Sequence, residues 1–123
     1  MNLAAARVFV RDLVAARAFY GQILGLSLKH DGVSYGYCVF SAGSIDFILE
    51  SVAIDAPHEE QELVGRFKGL SFSVQDVHAR FQSLSQAGVP FTGAPEKQQW
   101  GGIIATFQDP AGNELQLVQV PVA

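Results

Sequence analysis

The side chains with chemistry to offer are one arginine, Arg7, two carboxylates, Glu50 and Glu114, and an amide, Gln116. With them go the hydroxyls Ser71 and Ser73 and the aromatics Phe9, Tyr35, Tyr37 and Trp100. Strand alternation sorts most of them onto one kind of face. Arg7 and Phe9 alternate with Val8 and Val10. Ser71 and Ser73 alternate with Leu70, Phe72 and Val74, and Glu114, Gln116 and Val118 with Leu115 and Leu117. The second set is uniformly apolar and suits packing against helices. The first is mixed polar and aromatic, the lining a small-molecule pocket uses; an exposed sheet surface or a dimer contact would read the same way. Arg7 can clamp a carboxylate or phosphate through two parallel N–H bonds, or can pair structurally with Glu50 or Glu114. Tyr35, Tyr37 and Trp100 can stack a planar ligand, a contact worth about 0.5–1.5 kcal/mol beyond the buried area, or can serve core and interface packing. Glu50 can serve as a base only if it is desolvated and partnered.

Other chemistry finds no arrangement to carry it. His30 falls at a predicted turn, His58 in a polar stretch and His78 in the first turn of a predicted helix, with no HxxH or HxxxH spacing. Ser44, Ser71 and Ser73 lack an identifiable base, and GxSxG is absent. Cys38 lies in the middle of a predicted strand, where a buried inert thiol is expected. No catalytic residue is assigned.

The elements that position these groups are read as follows. Strands are predicted at Leu3 to Val10, Leu26 to His30, Tyr35 to Phe40 and Ile45 to Val52, with Asp31-Gly32 and Ser41 to Ser44 as turns. Asp12 caps a helix over Leu13 to Leu24, closed by Gly25. A polar, acidic stretch of about 54–65 reads as a linker. Phe67 to Val74 is a strand, and Asp76 caps a helix from Val77 to Ala87 with Val77, Phe81 and Leu84 on its apolar stripe. Val89 to Thr92 is a short strand, placed at an edge by Pro90. A hairpin of Ile103 to Phe107 and Glu114 to Gln119 closes the chain. Its turn, Asp109-Pro110-Ala111-Gly112-Asn113, is built from residues that fix φ, permit φ > 0 or bond their own backbone.

The order β-α-β-β-β occurs twice. Val10-Arg11-Asp12 recurs as Val74-Gln75-Asp76, 64 residues on, and the turn glycine Gly43 recurs as Gly112. The modules are set at about 1–53 and 66–123, within one domain. The 123 residues suffice for a single shared core. At 49% hydrophobic and 16% charged, the composition is that of a globular protein. The net charge of −4 with scattered lysines and arginines argues against nucleic acid. One cysteine excludes an internal disulfide and a CxxC zinc site. No apolar run reaches the roughly 18 residues of a membrane span, and no signal peptide is evident. A cytoplasmic protein without membrane contact is the expectation.

Three stretches in this order, VFVRDLVAARAFYGQILGL, LSFSVQDVHARFQSL and QQWGGIIATFQDPAGNELQLVQ, resemble the vicinal oxygen chelate superfamily. It holds glyoxalase I, extradiol dioxygenases, and the fosfomycin- and bleomycin-resistance proteins. DPAGNELQLV after WGG is the most specific part, and the resemblance covers nearly the whole chain. It implies an α+β fold of two βαβββ modules, with curved mixed sheets around a cleft, helices on the outer face, and a homodimer. It also implies where metal ligands would fall: Ala5, Gly69, Gln116, and Ile48 or Glu50 in the fourth strand. Ala5 and Gly69 have no donor atoms, so the metal is read as lost and no cofactor is expected. The resemblance then favours a metal-free binding protein of the bleomycin-resistance branch, holding an aromatic or amphipathic small molecule in a dimer cleft. The alternative is a divalent-metal-dependent lyase, isomerase or dioxygenase with an atypical ligand set.

Overall fold

Two aspartates, Asp12 and Asp76, each turn a strand into a helix. In both, the carboxylate accepts the backbone N–H three residues on, Ala15 and Ala79, at 3.0 Å. That satisfies one of the free donors of a helix start. A computed structural model describes residues 1–122, and they form two compact units. The first comprises Met1–Arg66 with Pro110–Asn113; the second comprises Phe67–Asp109 with Glu114 onward.

The first unit runs β1 (Ala5–Val10), α1 (Leu13–Ala18), β2 (Ser27–Gly32), β3 (Tyr37–Ala42), β4 (Ile45–Ser51) and a short α2 (His58–Gln61). Its sheet has the order β1-β4-β3-β2, with β1 and β4 parallel and the rest antiparallel. Val8, Val10, Cys38, Phe40, Phe47 and Leu49 are buried on the face where α1 packs over β3 and β4. The helix expected through Leu24 stays α only to Ala18. Phe19–Ile23 is a wider π turn, with the Leu24 N–H reaching back to the Phe19 carbonyl. It brings the consecutive aromatics Phe19 and Tyr20 both into the core, edge to face at 5.1 Å.

Three local expectations change here. Asp31 and Gly32 are paired strand residues, and the chain turns later, through a 3-10 turn at Val33–Tyr35 that Gly36 ends at φ 88°. Tyr35 therefore sits on that turn rather than in a strand. The polar stretch after Ile54 is ordered: Gln61 donates its amide to the carbonyls of Ala53, Ile54 and Ala56 and also bonds Arg11. Asn113 reaches beyond its own turn. Buried completely, it accepts the N–H groups of Gly65 and Arg66 and donates to the carbonyl of Phe9.

The second unit runs β5 (Phe67–Ser73), α3 (Val77–Gln86), β6 (Glu96–Lys97), β7 (Ile103–Gln108) and β8 (Glu114–Gln119), in the sheet order β5-β8-β7-β6. The β7–β8 hairpin stands as expected, and α3 packs on β7 and β8. Val89 to Thr92 does run along the outer edge of β7, through the bridge Phe91 to Phe107, the Thr92 N–H to the Thr106 carbonyl and the Gln108 N–H to the Pro90 carbonyl, but the regular edge strand is the two-residue β6. Strand β5 bulges: Phe67 pairs with Glu114 but Ser71 with Gln116, and Gly69 between them has φ 66°. The two mixed, open sheets with few helices make an α+β fold. Among the described residues, no helix is long and apolar enough to cross a membrane.

Candidate functional site

The face of the first sheet opposite α1 is built in rows. Arg7 of β1 pairs with Ile48 of β4, which pairs with Val39 of β3. In the next row Phe9, Glu50 and Tyr37 stand side by side. Beyond the row ends lie Ser51, Gly36 and Tyr35. Arg7, Tyr35, Gly36, Tyr37, Val39, Ile48, Glu50 and Ser51 enclose an open concavity of about 480 Å³, within the range of small-molecule sites. Of the residues singled out in the sequence, it gathers Arg7, Tyr35, Tyr37, Ile48 and Glu50. Phe9 shares the face but lies outside this lining, half-buried, with a bridge to Val64. Gly36, Val39 and Ser51 complete the lining without being singled out by the sequence, although alternation from Tyr37 leads to Val39.

The concavity's charges are loosely held. Arg7 Nη1 lies 4.0 Å from Glu50 Oε1, and the two side chains are 62% and 43% exposed. At that distance the contact is electrostatic only, longer than a hydrogen bond. Glu50 is thus the carboxylate next to Arg7, and it lacks the burial that a catalytic base there would need. The Tyr37 ring, by contrast, is seated. A Cβ on Gly32 would come within 2.7–2.9 Å of its ring carbons, so the ring lies flat over a bare glycine. His30 stacks on it at 5.5 Å. The turn bearing Tyr35 is pinned at both ends. Asp31 Oδ1 accepts the Val33 N–H at 3.2 Å, and Ser51 donates both N–H and hydroxyl to the Gly36 carbonyl. The Val33 N–H and the Arg17 guanidinium hold the Asp31 carboxyl below its ordinary range, although partial desolvation opposes them. Tyr35 itself is 83% exposed.

In the second unit, Ser71, Gln116 and Thr106 form a row across the open face: Ser71 donates to Gln116 at 3.4 Å and Gln116 to Thr106 at 3.2 Å. Gln108 donates to Glu114 at 3.3 Å. Trp100 lies on the loop before β7, 55% exposed, its indole over Gly102, where a Cβ would fall 2.0 Å from the ring. Cys38 is buried beside Asp31, and burial with that neighbouring carboxylate pushes its thiol upward. His30, His58 and His78 are all exposed, His58 pairing with Glu62 at 2.9 Å.

The two sheets can be matched on their capping aspartates, and this resolves the fourth-strand position. Three residues before Asp12, Phe9 pairs with Glu50; three before Asp76, Ser73 pairs with Val118. Two residues earlier, Arg7 pairs with Ile48 and Ser71 with Gln116. Ile48, not Glu50, therefore matches Gln116. The positions that would hold a divalent ion carry Ala5, Ile48, Gly69 and Gln116. Only the last has a donor, and its amide oxygen is taken by Ser71. Among the described residues no three His, Cys, Asp or Glu side chains gather where they could share an ion. This donor set does not fit a divalent metal.

Comparison with known proteins places this architecture. Residues 2–117 match the Glyoxalase/Bleomycin resistance protein/Dioxygenase superfamily, and the chain belongs to that superfamily. It is 32% identical over 129 residues to the uncharacterised protein YurT of Bacillus subtilis (strain 168), covering 97% of this chain and 99% of YurT. Among solved structures it is similar to TnmS3, an antibiotic binding protein from Streptomyces sp. CB03234, at 26% identity and a TM-score of 0.77. That match covers 98% of this chain and 97% of TnmS3. It shares the fold of a lactoylglutathione lyase from Agrobacterium tumefaciens, at 19% identity, a TM-score of 0.77, and coverage of 96% and 92%.

Proposed function

We propose that the chain is a metal-free binding protein for an aromatic or amphipathic small molecule, working as a homodimer whose cleft holds the ligand. The observation that carries this reading is the open face of the first sheet. There an apolar floor of Ile48 and Val39 is flanked by one cation, one anion and two tyrosines around about 480 Å³. The donor-poor ligand positions support the metal-free part, and the antibiotic-binding relative supports a binding role on this scaffold. Trp100 and the Ser71–Gln116–Thr106 row are offered as further contacts in the dimer.

Titration with 8-anilinonaphthalene-1-sulfonate, an aromatic anion, tests the reading on protein purified without chelators. Saturable binding near one dye per chain by a species of two-chain mass is the expected result. A stoichiometric divalent metal in the same preparation, or dye uptake that never saturates, would overturn it.

A further inference from the structure

The loose pair of Arg7 and Glu50 says more about the ligand than its being aromatic, if the open face of the first sheet is indeed the ligand site. The two head groups stand 4.0 Å apart, side by side at the rim of the concavity. Among the described residues neither makes a hydrogen bond, so the guanidinium keeps its donors and the carboxylate its acceptors. A ligand carrying only an anion would gain at Arg7 and be repelled at Glu50. A ligand carrying only a cation would meet the reverse. Both head groups are served at once by a ligand edge presenting a hydrogen-bond acceptor beside a hydrogen-bond donor.

The remaining lining fixes what that edge belongs to. Ile48 and Val39 are neighbours across β4 and β3 and form an apolar floor one row from Glu50. Tyr37, seated over Gly32 and stacked by His30, is held from collapsing into the space. A flat apolar body against that floor and ring would place its polar edge toward Arg7 and Glu50. We infer that the concavity selects planar fused-ring aromatics whose edge carries an acceptor next to an N–H or O–H donor, the acceptor read by Arg7 and the donor by Glu50.

Calorimetric titration with 3-amino-2-naphthoate, 2-naphthoate and 2-methylnaphthalene tests this. The first offers acceptor and donor, the second the acceptor alone and the third neither. A hydrogen bond to a charged group contributes about 1.5–3 kcal/mol, so each step down the series is expected to weaken binding roughly tenfold or more. Glu50→Gln is expected to shrink the first step to about twofold or less, and Arg7→Gln to shrink the second. Both side chains are substantially exposed, so the variants are expected to melt with the wild type. Equal affinity for all three compounds would overturn the selection rule and leave the binding role standing. Wild-type preferences that persist in both variants would overturn the rule in the same way. Failure of all three to bind would overturn both.

Discussion

Asp31 does more than its exposed position suggests. One carboxylate oxygen accepts the Val33 N–H at the start of the turn that carries Tyr35, and the other meets Arg17 of α1 at 2.7 Å. Both contacts favour the ionised form, so its native pKa lies below the ordinary 3.8. A carboxyl depressed on folding adds stability that is fully present above its unfolded pKa and is lost as pH falls through the native one. Stability contributed by Asp31 should therefore hold at pH 5 and above and fade below about pH 3.8. Urea titrations of the wild type and Asp31→Asn across pH 2–6 are expected to show a gap that closes at the acid end. A gap independent of pH would mean that Asp31 acts by shape alone. Cys38 gives the opposite case. Buried and pushed upward by desolvation and by Asp31, its thiol stays protonated at neutral pH. Labelling by a disulfide reagent is expected to be slow in the native protein and to become rapid only in denaturant.

At the level of elements, the Tyr37 seat is the feature most open to a single change. The chain passes under the ring at Gly32, whose missing Cβ leaves room for it. The clash introduced by Gly32→Ala falls on the outer ring carbons of a side chain that can swing away. The expected stability cost is therefore small for overpacking, on the order of 1 kcal/mol. Ligand affinity should fall with the displaced ring, by as much as in Tyr37→Ala, and the double variant should fall no further. Additive losses would show that Gly32 and Tyr37 act separately. Nothing in the sequence pointed to this seat, since Asp31-Gly32 reads as a turn. The turn follows at Val33–Tyr35 because Gly36, at φ 88°, supplies the left-handed residue that reverses the chain. Where apolar period and capping agree, as in the β7–β8 hairpin and at Asp12 and Asp76, local sequence suffices. It fails at β6, whose Glu96 and Lys97 have no apolar period and pair only because Ile103 and Ile104 lie opposite. It also fails at the π turn, where the core's demand for two adjacent aromatics overrides regular helix. Face alternation was legible enough to group Arg7 with Phe9. Which fourth-strand residue matched Gln116 was not, because that depends on pairing between distant strands.

On the scale of the whole molecule, the chain's connectivity is less modular than its repeat. Residues 110–113 lie between β7 and β8 in sequence yet belong to the first unit. Asn113 is the reason. Its carbonyl oxygen accepts Gly65 N–H at 2.9 Å and Arg66 N–H at 3.3 Å, and its amide donates to the Phe9 carbonyl at 2.8 Å, all from a fully buried position. Gly65 and Arg66 are themselves exposed, so water can replace part of what their N–H groups lose, and each of the three bonds is counted at the net value of a protein hydrogen bond, about 0.5–1.5 kcal/mol. Asn113→Ala is therefore expected to destabilise the chain by roughly 3 kcal/mol in urea unfolding, allowing for partial relaxation. Asn113→Asp should be no better, because it sets a carboxylate against the Phe9 carbonyl. Hydrogen exchange gives the sharper readout. If Asn113 clasps the first unit, the amides of Gly65 and Arg66 should exchange faster in Asn113→Ala by more than the global loss of stability explains. Faster exchange confined to the β7–β8 hairpin, with Gly65 and Arg66 unchanged, would show that the residue only shapes its own turn. The same side chain that looked from the sequence like ordinary turn chemistry would then be just that, and the first unit would stand without it.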